Sequence, residues 1–385
     1  MMSNRTKIDK PARPGAVRPD TAEFKFPVPT KVKDFIFGAV RDRYIDKQAV
    51  LDGCSSLRPV SKHNPIGHFK VIMATRGRKR ILFVRIASPW IKEKKWSAVS
   101  IADYLNDRGI RCQEWLRAAG RKGRFLTDKK RFGFPVQLSA SEFEDLELIG
   151  TCPEELRRLG RNIGRMHKVL RKSPFSRTIE RNSKVRATAI CRGLRELKAV
   201  LKRGEAKGLP CCQAWISKNK AFIERLLDKY TPDFRIYDDL RCQPIHGDLN
   251  AGNVMSSGKG GDVFLDLEEA GHSYFPPLAD IAMAIERFIL FDAPGKRESV
   301  RRLRSFIAGY MKEAGTPFSR EAGSPGRQIA DMIRQIDYHA VAILLSMSRP
   351  ERKGIPAEEW DKFVSLEAAA TKLEPLIDGF SVKGC

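Results

Sequence analysis

The spacing of apolar residues changes twice along the chain and divides it into three parts. Residues 1–32 place five prolines among charged residues, which favours an extended or disordered lead-in. From residue 48 to residue 147, short apolar runs alternate with turn residues, as strands do. After residue 147, apolar residues recur every three or four positions, which predicts helices. The pattern predicts a lead-in (1–32), a sheet-rich unit (33–147) and a mostly helical unit (148–385).

The sheet-rich unit contains two predicted hairpins and a helix. HFKVIMAT and KRILFVRIA flank Arg76-Gly77-Arg78, and GRFLTDKKRFGFPVQLSA offers two further strands around Lys129-Lys130. Between these hairpins, WSAVSIADYLNDR predicts a helix over 96–108 that ends before Gly109, a suitable C-terminal glycine. A short amphipathic helix is expected over 33–47. This unit is therefore predicted to be a small antiparallel sheet.

The helical unit begins at Pro153-Glu154-Glu155, a typical helix start, and continues through LRRLGRNIGRMHKVLRK. Two further helical segments are expected over 185–230, with a break near Gly208-Leu209-Pro210. Helical spacing returns from residue 278 in LADIAMAIERFIL, VRRLRSFIAGYM, IADMIRQIDYHAVAILLSM and the segment 357–378. The predicted fold class is α+β, with a small antiparallel-sheet lobe followed by a larger, mostly helical lobe.

Charge is concentrated in the first third of the chain. Residues 1–135 hold 31 Lys and Arg against 12 Asp and Glu, which is +19 of the total net charge of +25. A basic surface attracts anionic partners, although a merely solvated surface is the alternative. Clusters at Arg121-Lys122-Gly123-Arg124 and Lys129-Lys130-Arg131 are candidates for such contact. Nucleic acid is not the expected partner, because no recognisable nucleic-acid-binding motif accompanies the charge.

The remaining composition indicates a cytoplasmic protein. The eight cysteines are scattered without paired spacing, so neither a zinc site nor a disulfide framework is expected, and a reducing compartment suits them. The first residues lack the apolar core of a secretory signal. No apolar run is long enough for a transmembrane helix.

Polar residues between short apolar runs mark residues 243–284 as the chemical centre. Asp248 and Asn253 lie in a glycine-containing loop, and Asp266 follows the apolar run Val263-Phe264-Leu265. Carboxylate and amide oxygens are suitable ligands for Mg²⁺, which takes its other ligands from water and phosphate. A remaining carboxylate can accept the proton of an attacking hydroxyl. This division of roles suits phosphoryl transfer.

HGDLNAGN, FLDLEEAG and PLADIA, taken in that order, resemble the motifs of the aminoglycoside phosphotransferase and choline kinase family. LGRNIGRMHKVL is similar to the helix that follows the hinge between lobes in this family. The resemblance covers roughly residues 50–290. It implies a protein-kinase-like bilobal fold with ATP in the cleft between the lobes, in agreement with the two lobes that the spacing predicts.

The resemblance also implies roles for individual residues. Asp248 matches the catalytic base, whereas Asn253 and Asp266 match the residues that bind Mg²⁺. His246 and Asp280 match residues that hold the catalytic loop in shape. In both cases a buried, hydrogen-bonded side chain is the expected environment.

The nucleotide side of the resemblance centres on Arg85, at the end of a predicted strand. It falls where the family carries a Lys or Arg that faces the ATP phosphates, and arginine can grip phosphate with two N–H groups. The family pairs this residue with a helix glutamate, but the helix here offers only Glu93 before it and Asp103 within it. Gly53-Cys54-Ser55-Ser56 and Asn64-Pro65-Ile66-Gly67 are both candidates for the loop that covers the phosphates.

For several other polar residues, we favour a structural role over a role in binding. Glu268 and Glu269 are expected to be solvated loop carboxylates rather than contacts for a metal or an amino substrate. Tyr338 and His339 are expected to pack in the core rather than line a substrate pocket.

From the motifs at residues 246–280 and Arg85, we predict an ATP- and Mg²⁺-dependent kinase that phosphorylates a hydroxyl of a sugar, saccharide or amino alcohol. The basic composition favours a neutral-to-anionic acceptor. The alternative is a kinase-like nucleotide-binding protein with weak or no catalysis that acts through a partner.

Overall fold

The computed structural model describes most of the chain between residues 26 and 347. The described residues are 26–45, 48–57, 59–61, 65–75, 78–87, 92–117, 126–128, 132, 134–203, 218–257, 261–290, 295–347, 375, 377 and 380. Side chains at 92–97, 200, 201, 203 and 344–347 lie outside this description, although their backbone is helical. Most of the predicted helix at 357–378 and both basic clusters at 121–124 and 129–131 also lie outside it.

The small lobe is built on a six-stranded antiparallel sheet. Its order is β1-β2-β3-β4-β6-β5, with strands β1 (Phe26–Pro27), β2 (Val50–Ser56), β3 (Gly67–Thr75), β4 (Arg78–Ala87), β5 (Leu126–Asp128) and β6 (Val136–Glu142). The predicted hairpin is confirmed as β3–β4, in which Phe69 lies opposite Val84. The second hairpin is confirmed as β5–β6. Alternation along β3 and β4 buries Phe69, Val71, Leu82 and Val84 on one face, while Lys70 and Arg85 lie on the other.

Helix α1 (Thr30–Arg43) covers the buried face of this sheet. Its residues Val32, Phe35 and Ile36 pack against the apolar side chains of β3, β4 and β6. The predicted lead-in therefore ends too late: Phe26–Pro27 pairs with β2, and Val28 and Val32 are buried. The reason is packing, because this face of the sheet would otherwise expose its apolar side chains to water. Residues 1–25 lie outside the described part of the chain.

Helix α2 (Lys92–Asn106) follows the sheet hairpin in the chain but shares its core with the large lobe. Ala98, Ile101, Ala102 and Leu105 belong to the same buried cluster as the large-lobe helices, not to the cluster under the sheet. The helix begins four residues earlier than predicted and ends two residues earlier. Gly109, just beyond it, has φ +74°, the left-handed conformation expected of a glycine after a helix.

The large lobe combines helices with short strands. Among the described residues, the helices are α3 (Pro153–Leu170), α4 (Ser176–Arg203), α5 (Lys220–Lys229), α6 (Pro277–Ala284), α7 (Lys296–Ala314) and α8 (Pro325–Met347), with a π-helical turn at Ile285–Leu290 and a 3₁₀ turn at Ala270–His272. The strands are β7 (Leu146–Leu148), β8 (Gln243–Pro244), β9 (Val254–Ser257), β10 (Asp262–Phe264) and β11 (Tyr274–Phe275). Strands β10, β9 and β7 form one sheet, and β11 and β8 form another.

Helices α3 and α7 pack backbone against backbone. A methyl group added to Gly160 would lie 2.1 Å from the carbonyl oxygen of Phe306, and one added to Gly309 would lie 2.1 Å from that of Arg157. Helix α3 starts as predicted, with Pro153 at its first position and Glu154 and Glu155 in its first turn, where carboxylates oppose the helix dipole. This packing fixes the helix that supports the polar loop described below.

Residues 111–116, here called the cross-lobe segment, bond to both lobes. The carbonyl of Arg111 accepts the N–H of Phe264 at 2.9 Å, and the N–H of Gln113 donates to the carbonyl of Phe264 at 3.1 Å. At the other end, the N–H of Leu116 donates to the carbonyl of Ala140 in β6 at 2.8 Å. The segment therefore joins β10 of the large lobe to β6 of the small lobe.

Within the described residues, none of the helices has both the length and the apolar character that crossing a bilayer requires.

Candidate active site

The polar loop, residues 245–253, connects β8 to β9, and a glycine sets its path. Gly247 has φ +82°, and a methyl group on it would lie 2.1 Å from Oγ of Ser273. Any side chain at residue 247 would be strained by its backbone angle and would also collide with Ser273. The loop can therefore turn between His246 and Asp248 only because residue 247 is glycine.

Two asparagine amides hold the carboxylate of Asp248. Nδ2 of Asn250 donates to Oδ1 at 3.0 Å, and Nδ2 of Asn253 donates to Oδ2 at 2.8 Å. Asn250 was missing from the predicted site. Its sequence signal is an asparagine two residues after an aspartate, a type that makes local hydrogen bonds in turns. With both oxygens engaged, the carboxylate is fixed in one orientation.

Asn253 and Asp266 are brought together by the backbone between them. The carbonyl of Asn253 accepts the N–H of Leu265 at 2.8 Å. Asp266 is the next residue along the chain, so this bond ties its position to that of Asn253. Because Nδ2 of Asn253 donates to Asp248, its amide oxygen Oδ1 remains to act as a ligand. Asp266 has φ +50°, a left-handed conformation that few residues other than glycine adopt, and its side chain is exposed in the cleft.

His246 connects the two segments with its two ring nitrogens. Nε2–H donates to the carbonyl of Leu265 at 3.0 Å, and Nδ1 accepts the N–H of Asp248 at 3.3 Å. The ring is buried, as expected for a structural histidine. This imidazole ring thus joins the Asp248 loop to the segment that carries Asp266.

Asp280, in the first turn of α6, holds the start of the loop. Its carboxylate accepts the N–H groups of His246 at 2.8 Å and Gly247 at 2.9 Å, and Nε2–H of His167 at 2.9 Å. Nδ1 of His167 lies 3.0 Å from the hydroxyl of Tyr310 in α7. Burial and the charge of Asp280 raise the pKa of Tyr310. Sequence reasoning missed both His167 and Tyr310, since their role depends on contacts between distant helices.

Arg85 lies on the face of β4 opposite the buried residues Leu82 and Val84 and forms an ion pair with Glu268. Nη1 of Arg85 and Oε1 of Glu268 are 2.8 Å apart. Glu269 is paired with Arg186 of α4, and both glutamates are only partly exposed. The expectation of two solvated loop carboxylates is therefore wrong, because each glutamate faces an arginine from another element.

Of the two candidate phosphate-covering stretches, the first lies in a strand and the second lies partly in a loop. Gly53-Cys54-Ser55-Ser56 lies within β2 and pairs with β3, so it is a strand rather than a loop. The connection between β2 and β3 comprises residues 57–66, of which Leu57 lines the cleft. Of the second candidate, Pro65 and Ile66 fall in this connection, whereas Asn64 lies outside the described residues.

A cleft of about 1070 Å³ lies between the sheet and the polar loop. Arg85, Glu268, Asn253 and Asp266 line one part of it, and Asp248 joins this group through its hydrogen bond to Asn253. Another part carries aromatic rings, in which His68 stacks on Phe83 at 5.5 Å between centroids, with Trp115 beyond at 6.5 Å. The cleft thus combines an aromatic wall with a cation and two potential metal ligands.

The donor atoms in this cleft fit a hard cation that needs few protein ligands. No cluster of three or more His, Cys, Asp or Glu side chains with metal-binding geometry occurs within the described part of the chain. A carboxylate and an amide oxygen, from Asp266 and Asn253, suit Mg²⁺, which completes its shell with water and phosphate oxygens. They do not suit zinc, for which cysteine and histidine are the usual ligands.

His339 and Tyr338 in α8 lie in packed surroundings, as expected. Tyr338 is buried beside Phe222, and the ring of His339 contacts Tyr230, Phe234 and Phe275. A hydrogen bond of 2.6 Å joins Nδ1 of His339 to the hydroxyl of Tyr230. Burial lowers the pKa of His339 to about 3, and the positive charge of Arg186 acts in the same direction.

Comparison with solved structures shows which proteins share this architecture. Amicoumacin kinase hAmiN, solved with AMP-PNP, Ca²⁺ and Ami, is 12% identical, with 91% of this chain and 96% of that chain covered and a TM-score of 0.52. Spectinomycin phosphotransferase APH(9)-Ia, solved with ADP and spectinomycin, is 15% identical, with coverages of 88% and 98% and a TM-score of 0.50. A choline kinase from Cryptosporidium parvum Iowa II is 12% identical, with coverages of 89% and 96% and a TM-score of 0.51. These likenesses confirm the predicted protein-kinase-like bilobal fold.

At the level of sequence, no curated protein matches the chain. The profile of the phosphotransferase enzyme family, APH, matches residues 74–318, a span that includes Arg85 and every residue of the polar loop. This span exceeds half of the chain, and the predicted family resemblance is thereby confirmed. The chain belongs to the phosphotransferase enzyme family, APH.

Proposed function

We propose that this protein is an ATP- and Mg²⁺-dependent kinase that transfers the γ-phosphate to a hydroxyl of a small molecule. The observation that carries the proposal is the joint placement of Asp248, Asn253 and Asp266 at a cleft that also contains Arg85. Asn253 bonds to Asp248 through its side chain and, through its carbonyl, to Leu265, the residue before Asp266. Similar folds that bind AMP-PNP or ADP support a nucleotide as the occupant of this cleft.

Asp248 is the proposed general base. Its carboxylate, fixed by Asn250 and Asn253, takes the proton of the acceptor hydroxyl as that oxygen bonds to the γ-phosphorus and the bond to the β-phosphate oxygen breaks. Asn253 and Asp266 would hold Mg²⁺, which when bound neutralises charge on the phosphates. Arg85 would bind phosphate oxygens, and His246 and Asp280 keep the loop in shape.

The acceptor belongs, in this proposal, to the sugar, saccharide or amino-alcohol class, with a neutral-to-anionic compound favoured by the basic composition. The reaction is assigned to the cytoplasm, where ATP is available and the cysteines that the structure describes stay unpaired as observed. An anionic partner for the basic first third stays a prediction.

Turnover tests the proposal directly. Purified protein is incubated with Mg-ATP and a panel of sugars, amino alcohols and aminoglycosides, and ADP formation and phosphorylated product are measured. Asp248→Ala should lower kcat by at least about 10²-fold, the usual size of a general-base effect. Asp238→Asn changes an exposed carboxylate ten residues before Asp248 in the chain, and as the control it should keep parental turnover.

Two outcomes contradict the proposal. An Asp248→Ala enzyme as active as its parent removes Asp248 from the mechanism. Nucleotide binding without transfer to any acceptor favours the alternative of a kinase-like binding protein.

A further inference from the structure

The ion pair between Arg85 and Glu268 joins two segments that are 183 residues apart in the chain. Arg85 lies on β4 of the small lobe, and Glu268 lies two residues after Asp266 in the large lobe. Both side chains line the cleft, and only 21% and 22% of their surfaces are exposed. Shielding of this kind strengthens an ion pair relative to one on an open surface.

Helix α2 presents small or neutral side chains to the same cleft. Ala98, Val99, Ala102 and Asn106 line it, at the spacing of one helix face, and none of them carries a carboxylate. The helix shares its core with the large-lobe helices rather than with the sheet that carries Arg85. The side chain of Glu93 lies outside the described residues. The carboxylate that the structure places against Arg85 therefore comes from the segment after Asp266.

We propose that Glu268 is a positioning residue that holds Arg85 toward the nucleotide phosphates. The inference rests on the proposed function, in which Arg85 binds phosphate. A guanidinium has five N–H donors, and the contact to Glu268 occupies one end of the group through Nη1. The remaining donors stay available for phosphate oxygens, which arginine can grip with two parallel hydrogen bonds.

This arrangement makes one segment responsible for two contacts to the nucleotide. Residues 266–268 carry both the proposed metal ligand Asp266 and the partner of Arg85. The ion pair connects the two lobes. It therefore couples the position of Arg85, the proposed phosphate ligand, to the position of residues 266–268. A lysine at residue 85 would present one ammonium group to both partners, whereas arginine presents separate N–H groups in a fixed fork.

The first experiment measures the pair without nucleotide. Thermal unfolding midpoints are compared for the parent, Arg85→Ala, Glu268→Ala and the double variant. The shift of the double variant should fall short of the sum of the single shifts by about 1–2 °C, because the second substitution removes a contact that is already lost. Lys79 and Asp52 form an exposed pair on β4 and β2 outside the cleft, and the same cycle on them should be nearly additive.

The second experiment measures the affinity for Mg-AMP-PNP by titration calorimetry in the same variants. Glu268→Ala and Glu268→Gln should each weaken binding by about 10-fold in the parent background, because an Arg85 that is no longer held in place loses one charge-assisted hydrogen bond to phosphate. In the Arg85→Ala background, the same substitutions should have no further effect, since Glu268 acts through Arg85. A purely structural role of Glu268 would change stability without this dependence on Arg85.

Four outcomes overturn the positioning role. Equal losses of affinity in both backgrounds mean that Glu268 acts on the metal independently of Arg85. Tighter binding by Glu268→Ala means that Glu268 competes with phosphate for the arginine. If the shifts of the unfolding midpoint are additive and the Glu268 variants bind nucleotide normally, the ion pair has no measurable effect, but the proposed function still stands. If these shifts are non-additive but the parent protein binds no nucleotide, both the positioning role and the nucleotide part of the proposed function are overturned.

Discussion

Single side chains in this site act as connectors between segments more than as isolated chemical groups. His246 bonds to the backbone on both sides of the site, and Asp280 gathers two N–H groups and His167 at one carboxylate. The sequence was sufficient to propose Asp248 and its ordered neighbours as one candidate site, because their spacing is a local property. It was insufficient for Asn250, His167 and Glu268, whose roles depend on which atoms meet after folding.

The lowered pKa of His339 leads us to predict that the folded protein loses stability in acid. Its pKa is about 3 in the folded protein, against about 6.5 in an unfolded chain. Below pH 6.5 the unfolded chain therefore takes up a proton at residue 339 that the folded protein does not, so stability falls with falling pH. At pH 5 this one group should cost about 2 kcal/mol of unfolding free energy relative to pH 8.

Chemical unfolding between pH 8 and pH 5 measures this effect. The His339→Gln variant keeps a polar group beside Tyr230 but cannot titrate, and its stability should depend less on pH than that of the parent. Parallel pH profiles for the two proteins would show that another group controls the acid response.

At the scale of elements, the α3–α7 contact is set by glycines that allow two helix backbones to touch. The sequence predicted both helices from their apolar spacing, and α3 begins at the predicted proline. It did not predict that α2 shares its core with the large-lobe helices, since a helix of small apolar residues can pack against either neighbour. It predicted a helix over 33–47, which α1 confirms with a start three residues earlier and an end four residues earlier. It did not predict the strand at Phe26–Pro27, because the prolines at residues 27 and 29 resemble those of a disordered lead-in.

Gly160→Ala should destabilise the protein by about 1–3 kcal/mol, since the added methyl group would force the backbones of α3 and α7 apart. Gly38 in α1 is the matched control, because nothing lies within 4 Å of a methyl group added there. Gly38→Ala should leave stability unchanged or raise it by about 0.5–1 kcal/mol, as alanine favours the helix. Urea unfolding compares the two variants, and equal stabilities would contradict the close approach of the two helices.

For the whole molecule, the sequence predicted two lobes in the right order and with the right classes of secondary structure. Contacts across the cleft could not be predicted, because they join residues far apart in the chain whose local patterns carry no sign of each other. The cross-lobe segment and the Arg85–Glu268 pair are both of this kind. These contacts determine how Arg85, the proposed phosphate ligand, is placed relative to the proposed catalytic residues of the large lobe.

The cross-lobe segment also bears on how the protein melts. Two lobes with separate apolar cores could melt as two calorimetric domains, the sheet losing its structure while the helices persist. Backbone bonds from one short segment to β6 and to β10 oppose this, since the sheet cannot open without disturbing a strand beside Asp266. Differential scanning calorimetry should therefore show one heat-absorption peak for the parent. Leu116→Pro, which removes the N–H that bonds to Ala140, should divide it into two, with the sheet melting first.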